Sequence, residues 1–178
     1  MKNIKVEGLH FQLFIPLDKI KKRIFDISDL VKQKSESDYV FLIVLNGALV
    51  FAEEFLKFFC SETPWSVVKV RSYNGIHNTG KIVLDYIRYD FVKNKKVFLI
   101  EDIVDTGYTL NFLKKKMINN GALSVECITL LFKPSKYLFQ ETPEYIGFSI
   151  GDEFVLGFGM DVNQRGRELK DIYKHVEI

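Results

Sequence analysis

The chain is poor in the residues that mark several protein classes. It has two cysteines and three histidines among 178 residues. Cys60 and Cys127 lie far apart in apolar surroundings, which predicts buried structural thiols, and no Cys/His pairing suggests zinc. No apolar run approaches the ~18 residues that a membrane span needs, so we expect no membrane partner.

Charge and targeting signals are also weak. A net charge of +2 gives no bulk basic signal, so we expect no nucleic-acid partner. Met1–Phe11 has basic residues without the apolar stretch of a signal peptide, and we expect a cytoplasmic protein. The chain contains no internal repeat and no low-complexity linker, which predicts a single domain over residues 1–178.

Two nucleotide-binding motifs are missing. No Gly-x-x-x-x-Gly-Lys-Ser/Thr loop is present, which disfavours a P-loop nucleotidase. The segment Gly157–Gly159 lacks the remaining glycine of the dinucleotide fingerprint and lies late in the chain. A Rossmann dehydrogenase is therefore disfavoured as well.

Helical and strand-like patterns alternate along the chain. Leu17–Lys34 has isoleucines and a valine at helical spacing, and Tyr39–Leu45 is a continuous apolar run typical of a strand buried on both faces. Further strands are predicted over Trp65–Arg71, Ile82–Ile87, Val97–Ile100, Val125–Phe132, Tyr145–Ile150 and Phe154–Phe158, and further helices over 48–59 and Thr109–Asn119. This alternation predicts an α/β fold with a mostly parallel twisted sheet flanked by helices, with ligands at the carboxyl ends of the strands.

The segment after the strand Val97–Ile100 carries the chemistry. Glu101 and Asp102 are predicted to end this strand, and because neighbours in an extended chain point to opposite faces, one can reach a ligand while the other braces the loop. Asp105 then opens a turn into a helix, where successive backbone N–H groups form an anion nest. Hydroxyl groups of Thr106 and Thr109 add donors. The segment thus offers carboxylates for a sugar diol or magnesium and amides for a phosphate.

This segment resembles the ribose-phosphate signature of type I phosphoribosyltransferases. Further matches from about Leu13 onward make the chain similar to hypoxanthine-guanine phosphoribosyltransferases. The resemblance implies the type I fold, with a small hood formed by the N- and C-terminal segments. It also implies a magnesium-dependent purine-salvage enzyme that joins 5-phosphoribosyl-1-pyrophosphate to hypoxanthine or guanine, giving IMP or GMP, and a homodimer or homotetramer.

The resemblance assigns roles around the phosphorylated ribose. Asp105 would act beside purine N7 as general base or hydrogen-bond acceptor. Tyr108 replaces a lysine common in relatives, and we expect this to be tolerated because the backbone supplies the phosphate cradle. The implied ribose-phosphate residues are Glu101, Asp102, Asp105, Thr106, Gly107, Tyr108 and Thr109.

A second set of residues would hold the pyrophosphate and the metal. Leu45, Asn46 and Gly47 match a loop that the family enters through a cis peptide, and many relatives have lysine at the Asn46 position. Asp161 would bind magnesium, with Glu101 and Asp102 also implied as ligands. Arg167 would contact pyrophosphate, with Arg165 as a rival. The family more often has aromatics at Val162 and Gly166.

A third set would recognise the base and close the site. Lys133 would contact the 6-oxygen, and because an ammonium group only donates, it argues against adenine. Phe154 would stack on the base, and Val155 would offer backbone groups to it. Ser72 and Tyr73 match a mobile loop that closes over the reacting centre.

Two alternatives stay open. The 2-position of the base is not fixed, so xanthine is a possible substrate. The chain could also be a transcriptional regulator on the same fold, which would need a basic face for nucleic acid. The run Lys114–Lys116 is the best candidate for that face, although it is also typical of a solvated helix surface.

Overall fold

A computed structural model describes residues 3–34, 38–59, 62–72 and 82–177. It has four helices among these residues: α1 (Leu17–Lys34), α2 (Leu49–Leu56), α3 (Tyr89–Val92) and α4 (Tyr108–Asn119). The ten described strands are β1 (Asn3–Val6), β2 (Leu9–Ile15), β3 (Tyr39–Leu45), β4 (Trp65–Ser72), β5 (Ile82–Tyr86), β6 (Lys96–Val104), β7 (Ser124–Phe132), β8 (Tyr145–Ser149), β9 (Val155–Leu156) and β10 (Ile172–Val176).

The centre of the molecule is a six-stranded sheet in the order β5-β4-β3-β6-β7-β8. All neighbouring strands are parallel except the edge strand β5, which runs antiparallel to β4. Helices α1 and α2 pack on one face and α4 on the other. Covering both faces explains why β3 is almost entirely apolar, and the predicted α/β fold is confirmed.

A second, four-stranded antiparallel sheet joins the two ends of the chain in the order β1-β2-β10-β9. Its small core consists of Phe11, Leu156 and Tyr173. This sheet forms the predicted hood. The strand β10 was not predicted, because Ile172–Val176 is short and mixes polar with apolar residues.

Two predicted strands have an end that differs from the structure by more than one residue. β6 was expected to end at Ile100, but its pairing with β7 continues to Val104, so Glu101 and Asp102 lie inside the strand. The predicted strand Phe154–Phe158 is reduced to Val155–Leu156. Gly157 and Phe158 adopt φ values of 99° and 49°, and this left-handed backbone cannot continue a strand.

Smaller differences concern the helices and cysteines. α2 ends at Leu56 instead of 59, and a tighter turn follows in which the Phe58 N–H donates to the Phe55 carbonyl oxygen. Cys127 is buried with a free thiol, whereas Cys60 lies outside the described residues. None of the described helices is long and apolar enough to span a bilayer.

Candidate active site at the carboxyl edge of the sheet

Two clefts open where the parallel strands end. The larger has a volume of about 590 Å³ and is lined by Leu45, Asn46, Lys69, Val70, Arg71, Gln164 and Arg167. The smaller has a volume of about 210 Å³ and is lined by Asp102, Ile103, Asp105, Lys133, Phe154, Val155, Met160 and Asp161. Both lie at the edge where a parallel α/β sheet binds its ligands.

An ion pair marks the smaller cleft. The Lys133 Nζ lies 3.2 Å from the Asp105 Oδ2. Lys133 is only 5% exposed, so its charge is largely removed from water and depends on this carboxylate. The other oxygen, Asp105 Oδ1, is buried and has no hydrogen-bond partner among the described residues. A buried acceptor of this kind is stabilised by a ligand that donates to it.

Adjacent strands bring this pair together. Asp105 follows β6 and Lys133 follows β7, and the last ladder pair is Val104 with Phe132. The Lys133 N–H also donates to the Val104 carbonyl oxygen at 3.0 Å. The two predicted residues are therefore neighbours because their strands are neighbours.

Asp102 braces the loop after β3. A Cβ atom added to Gly47 would lie 1.8 Å from Asp102 Oδ2, so no side chain fits between the carboxylate and this loop. The loop also contains the expected cis peptide, between Leu45 and Asn46. On its other side, a Cβ added to Gly159 would lie 2.1 Å from the Gly47 carbonyl oxygen. Three distant parts of the chain thus meet at Gly47.

The two adjacent carboxylates have different surroundings. Asp102 lines the smaller cleft, whereas Glu101 is 5% exposed and does not belong to the described lining of either cleft. Burial raises the pKa of Glu101 well above its ordinary value, and the charge of Asp102 adds to this. Burial also raises the pKa of Asp102, to about 6, although backbone N–H donors and Arg167 oppose the shift. The structure thus brings Asp102 to the ligand side and leaves Glu101 beneath it.

Of the two arginines predicted as rivals for pyrophosphate, Arg167 lines the larger cleft. Its Nη2 lies 2.7 Å from Asp161 Oδ1, and its Nη1 donates to the Gly159 carbonyl oxygen at 2.8 Å. Arg165 instead pairs with Glu7 at 3.0 Å, on the exposed side of the loop. Of the two candidates, only Arg167 lies beside Asn46.

The turn that is predicted to bind phosphate has a support that the sequence did not reveal. Gly107 adopts a φ of 86° before α4, and a Cβ added there would lie 2.3 Å from the Tyr137 ring. The Leu138 N–H donates to the Thr106 carbonyl oxygen at 3.2 Å. The loop after Lys133 therefore packs directly under the turn. Tyr108 is half exposed and contacts Phe139 edge-on, with ring centroids 5.6 Å apart.

Phe154 presents a half-exposed ring to the smaller cleft, as stacking on a base requires. The ring of Phe11 lies 6.1 Å from it and that of His175 6.5 Å. Both neighbours come from the hood, on β2 and β10. The hood therefore positions the aromatic face of the cleft, which neither terminal segment indicated by itself.

Some predicted residues cannot be placed. Ser72 is the last residue of β4, and nothing is described of its side chain. Tyr73 and the rest of the predicted mobile loop lie outside the described residues. The described turn residues Thr106 and Thr109 lie at the start of α4, as expected.

Together, the fold and the site define an α/β protein with a glycine turn at a helix N-terminus and adjacent carboxylates at one sheet edge. The family model of the phosphoribosyl transferase domain matches residues 16–163. The hypoxanthine-guanine phosphoribosyltransferase of Lactococcus lactis is 34% identical over 141 residues, covering 79% of this chain and 76% of that protein. The hypoxanthine phosphoribosyltransferase of Escherichia coli is 31% identical over 167 residues, covering 92% and 94%.

A crystal structure of a Staphylococcus aureus hypoxanthine phosphoribosyltransferase superimposes with a TM-score of 0.85 at 25% identity, covering 93% of this chain and 91% of that one. The chain therefore belongs to the phosphoribosyltransferase family, in the group of hypoxanthine and hypoxanthine-guanine phosphoribosyltransferases. The resemblance inferred from the motifs is confirmed.

Proposed function

We propose that the protein transfers the 5-phosphoribosyl group from 5-phosphoribosyl-1-pyrophosphate to hypoxanthine or guanine, releasing pyrophosphate in purine salvage. The observation that carries this proposal is the Asp105–Lys133 pair with its unpartnered Asp105 Oδ1. Lys133 is a donor for a 6-oxo group, and Asp105 is an acceptor for the proton at purine N7. Adenine, with a 6-amino donor, would leave the Lys133 ammonium facing another donor.

The reaction joins purine N9 to ribose C1 while the bond from C1 to pyrophosphate breaks. Asp105 accepts the hydrogen bond from N7 and so favours the charge that develops on the base. Phe154 stacks on the base and fixes its plane. The turn Thr106–Thr109 holds the 5-phosphate through backbone N–H groups at the start of α4. These residues act mainly by orienting the two reactants.

The carboxylates also suit a magnesium ion. No cluster of three or more metal-binding side chains exists among the described residues, so the protein would supply one or two ligands and the substrate the others. That is the usual arrangement for magnesium with a phosphorylated substrate. We propose Asp161 as the ligand beside the pyrophosphate and Asp102, with Glu101 beneath it, on the ribose side. The ion would neutralise charge on the leaving pyrophosphate.

We expect a cytoplasmic homo-oligomer, a dimer or a tetramer, and light scattering at several protein concentrations measures its size. Lys114, in the basic run considered for nucleic acid, is partly buried and lies 2.6 Å from Glu144, so of this run Lys115 and Lys116 are the exposed lysines.

A steady-state assay tests the proposed function. The protein is incubated with 5-phosphoribosyl-1-pyrophosphate and magnesium, separately with hypoxanthine, guanine, xanthine and adenine. Nucleotide from the 6-oxopurines and not from adenine is the expected result, and xanthine turnover sets the tolerance at the 2-position. A folded protein that turns over none of these bases would overturn the proposal and favour the regulator, which an RNA- and DNA-binding assay then tests.

A further inference from the structure

The larger cleft contains three cationic side chains, but they are not equivalent. Lys69, Arg71 and Arg167 all line it. The Arg71 guanidinium forms two contacts with Asp85, with Nε 2.7 Å from Oδ2 and Nη2 2.9 Å from Oδ1. Arg167 is held by Asp161 at 2.7 Å. Each arginine is therefore balanced by a carboxylate of the protein itself.

Lys69 has no such partner. Its ammonium group makes no hydrogen bond and no ion pair with the described residues, and its side chain is exposed. The two arginine–carboxylate pairs contribute no net charge to the cleft. Lys69 is thus the net positive charge of the described lining, and an anion that enters is attracted mainly by it.

The sheet fixes where this charge lies. Lys69 is the ladder partner of Leu45, the residue that enters the cis peptide to Asn46. Val68 and Val70 pack on the α4 face of the sheet, so Lys69 between them points to the opposite face, where α2 follows the Leu45–Gly47 loop. Its place beside the loop is therefore set by strand register.

The loop itself offers no cation. Asn46 is exposed and uncharged, so the backbone of Gly47 and Ala48 can orient phosphate oxygens but cannot neutralise them. A pyrophosphate group carries several negative charges, and binding it needs a compensating charge close by. A lysine ammonium is a compact charge with three donors that suits this purpose.

We infer that Lys69 supplies the charge that binds the pyrophosphate group in this protein, in place of a cation in the Leu45–Gly47 loop. This inference rests on the proposed function for its substrate, because the larger cleft is the place for the pyrophosphate of 5-phosphoribosyl-1-pyrophosphate. It assigns to a strand residue a role that the loop residue Asn46 cannot fill.

The test uses three single variants and one double variant. Lys69→Gln removes the charge and Lys69→Arg keeps it. Lys21→Gln is the matched control, because Lys21 is an exposed lysine on α1 without a hydrogen bond or ion pair in the described parts of the chain. The double variant Asn46→Lys with Lys69→Gln returns a charge to the loop. Calorimetry with inorganic pyrophosphate, with and without magnesium, gives Kd, and steady-state kinetics give KM for each substrate.

We expect Lys69→Gln to weaken pyrophosphate binding about tenfold, the loss typical of one charge-assisted hydrogen bond. The KM for 5-phosphoribosyl-1-pyrophosphate should rise by a similar factor, while the KM for hypoxanthine stays unchanged, which a general loss of structure would not produce. Lys69→Arg should retain most of the affinity. The double variant should recover it, and added salt should weaken the wild type more than Lys69→Gln.

Two results would overturn the inference: equal pyrophosphate affinities for Lys69→Gln and Lys21→Gln, or a wild type that binds no pyrophosphate. Failure of the proposed function looks different. In that case the wild type turns over none of the bases, yet pyrophosphate still binds in a manner that depends on Lys69.

Discussion

The two clefts differ in how their charges are arranged. In the larger cleft, both arginines are already paired with carboxylates, at 2.7 Å each, and Lys69 is exposed. In the smaller cleft, the buried Lys133 pairs with a partly exposed Asp105, and one buried oxygen of that carboxylate has no partner among the described residues. The larger cleft thus has its arginines neutralised before a ligand arrives but keeps an unpaired cation, Lys69, among the described residues, whereas the smaller cleft keeps an unsatisfied acceptor.

This difference implies two modes of recognition. A buried acceptor rejects a ligand without a matching donor, because the unpaired group costs about 1–3 kcal/mol. A cleft whose unpaired charge is a solvent-exposed lysine discriminates weakly and responds to salt. We therefore expect base specificity to be set by the smaller cleft and salt-sensitive affinity by the larger one.

The largest effect should come from the acceptor itself. We expect Asp105→Asn to lower kcat at least about 100-fold, since a positioned acid–base group contributes on that scale, while the fold is retained. Steady-state kinetics and a thermal melt measure this. Asp152→Asn is the control, because Asp152 is an exposed carboxylate that accepts from Ser135 at 2.7 Å outside the cleft lining. Near-normal turnover in Asp105→Asn would remove Asp105 from catalysis.

The partner of Asp105 gives the next test. Lys133→Met should raise the KM for hypoxanthine about 10- to 100-fold, because the 6-oxygen loses its donor and Asp105 loses its counter-charge. The KM for 5-phosphoribosyl-1-pyrophosphate should change much less. Lys136→Met, a lysine in the turn that follows, serves as the control. If both KM values rise equally, the base and the pyrophosphate are not recognised by separate clefts.

Asp102 lines the smaller cleft and lies against Gly47, and it gives a pH-dependent test. Its pKa is raised from 3.8 to about 6, so the folded chain holds a proton that the unfolded chain has lost between these values. Stability should therefore fall as the pH rises through this range. Asp102→Asn should be more stable than the wild type by about 2–3 kcal/mol above this range and about equal below it.

Urea unfolding with a metal chelator, at about pH 8 and about pH 4, measures the difference for Asp102→Asn. A gain of the same size at both pH values would show that burial of the charge is not its cause. Glu126→Gln, at a carboxylate paired with Lys96 at 2.7 Å, provides a comparison in which no gain is expected.

The smallest effect is expected at the phosphate turn. Tyr108→Lys and Tyr108→Phe should each change the KM for 5-phosphoribosyl-1-pyrophosphate by less than about threefold, because in the proposed site backbone N–H groups and the helix N-terminus hold the phosphate. Tyr108 is half exposed and contacts Phe139 only by its edge. A tenfold or larger rise in KM for Tyr108→Phe would instead give the hydroxyl group a direct part in binding.

Regular elements and strand-end residues could be predicted from the sequence. Leu17–Lys34 and Tyr39–Leu45 have the predicted bounds, because their apolar patterns are long and unambiguous. The proximity of Asp105 and Lys133 followed from their places after two strands of a parallel sheet. These inferences need only local pattern and the rule that strand ends meet at one edge.

Long-range packing could not be predicted. Tyr137 lies in a loop without periodicity, and only the fold brings its ring under Gly107. Similarly, Arg71 has a carboxylate partner because Asp85 lies on the antiparallel strand β5, next to β4, whereas Lys69 has none among the described residues. The predicted end of β6, Ile100, was too early. The polar residues Glu101 and Asp102 do not reveal that the pairing with β7 continues to Val104.

The contact around Gly47 has a consequence for how such sequences diverge. Its carbonyl oxygen leaves no room for a side chain at Gly159, and Asp102 leaves none at Gly47 itself. These three positions are far apart in the chain but cannot drift independently. In an alignment of relatives, positions 47 and 102 should vary jointly, with a larger residue at 47 accompanied by a smaller or shifted one at 102. Position 159 faces backbone and should stay glycine while the loop keeps this path. Such joint variation would trace the site even where its chemical groups have been exchanged.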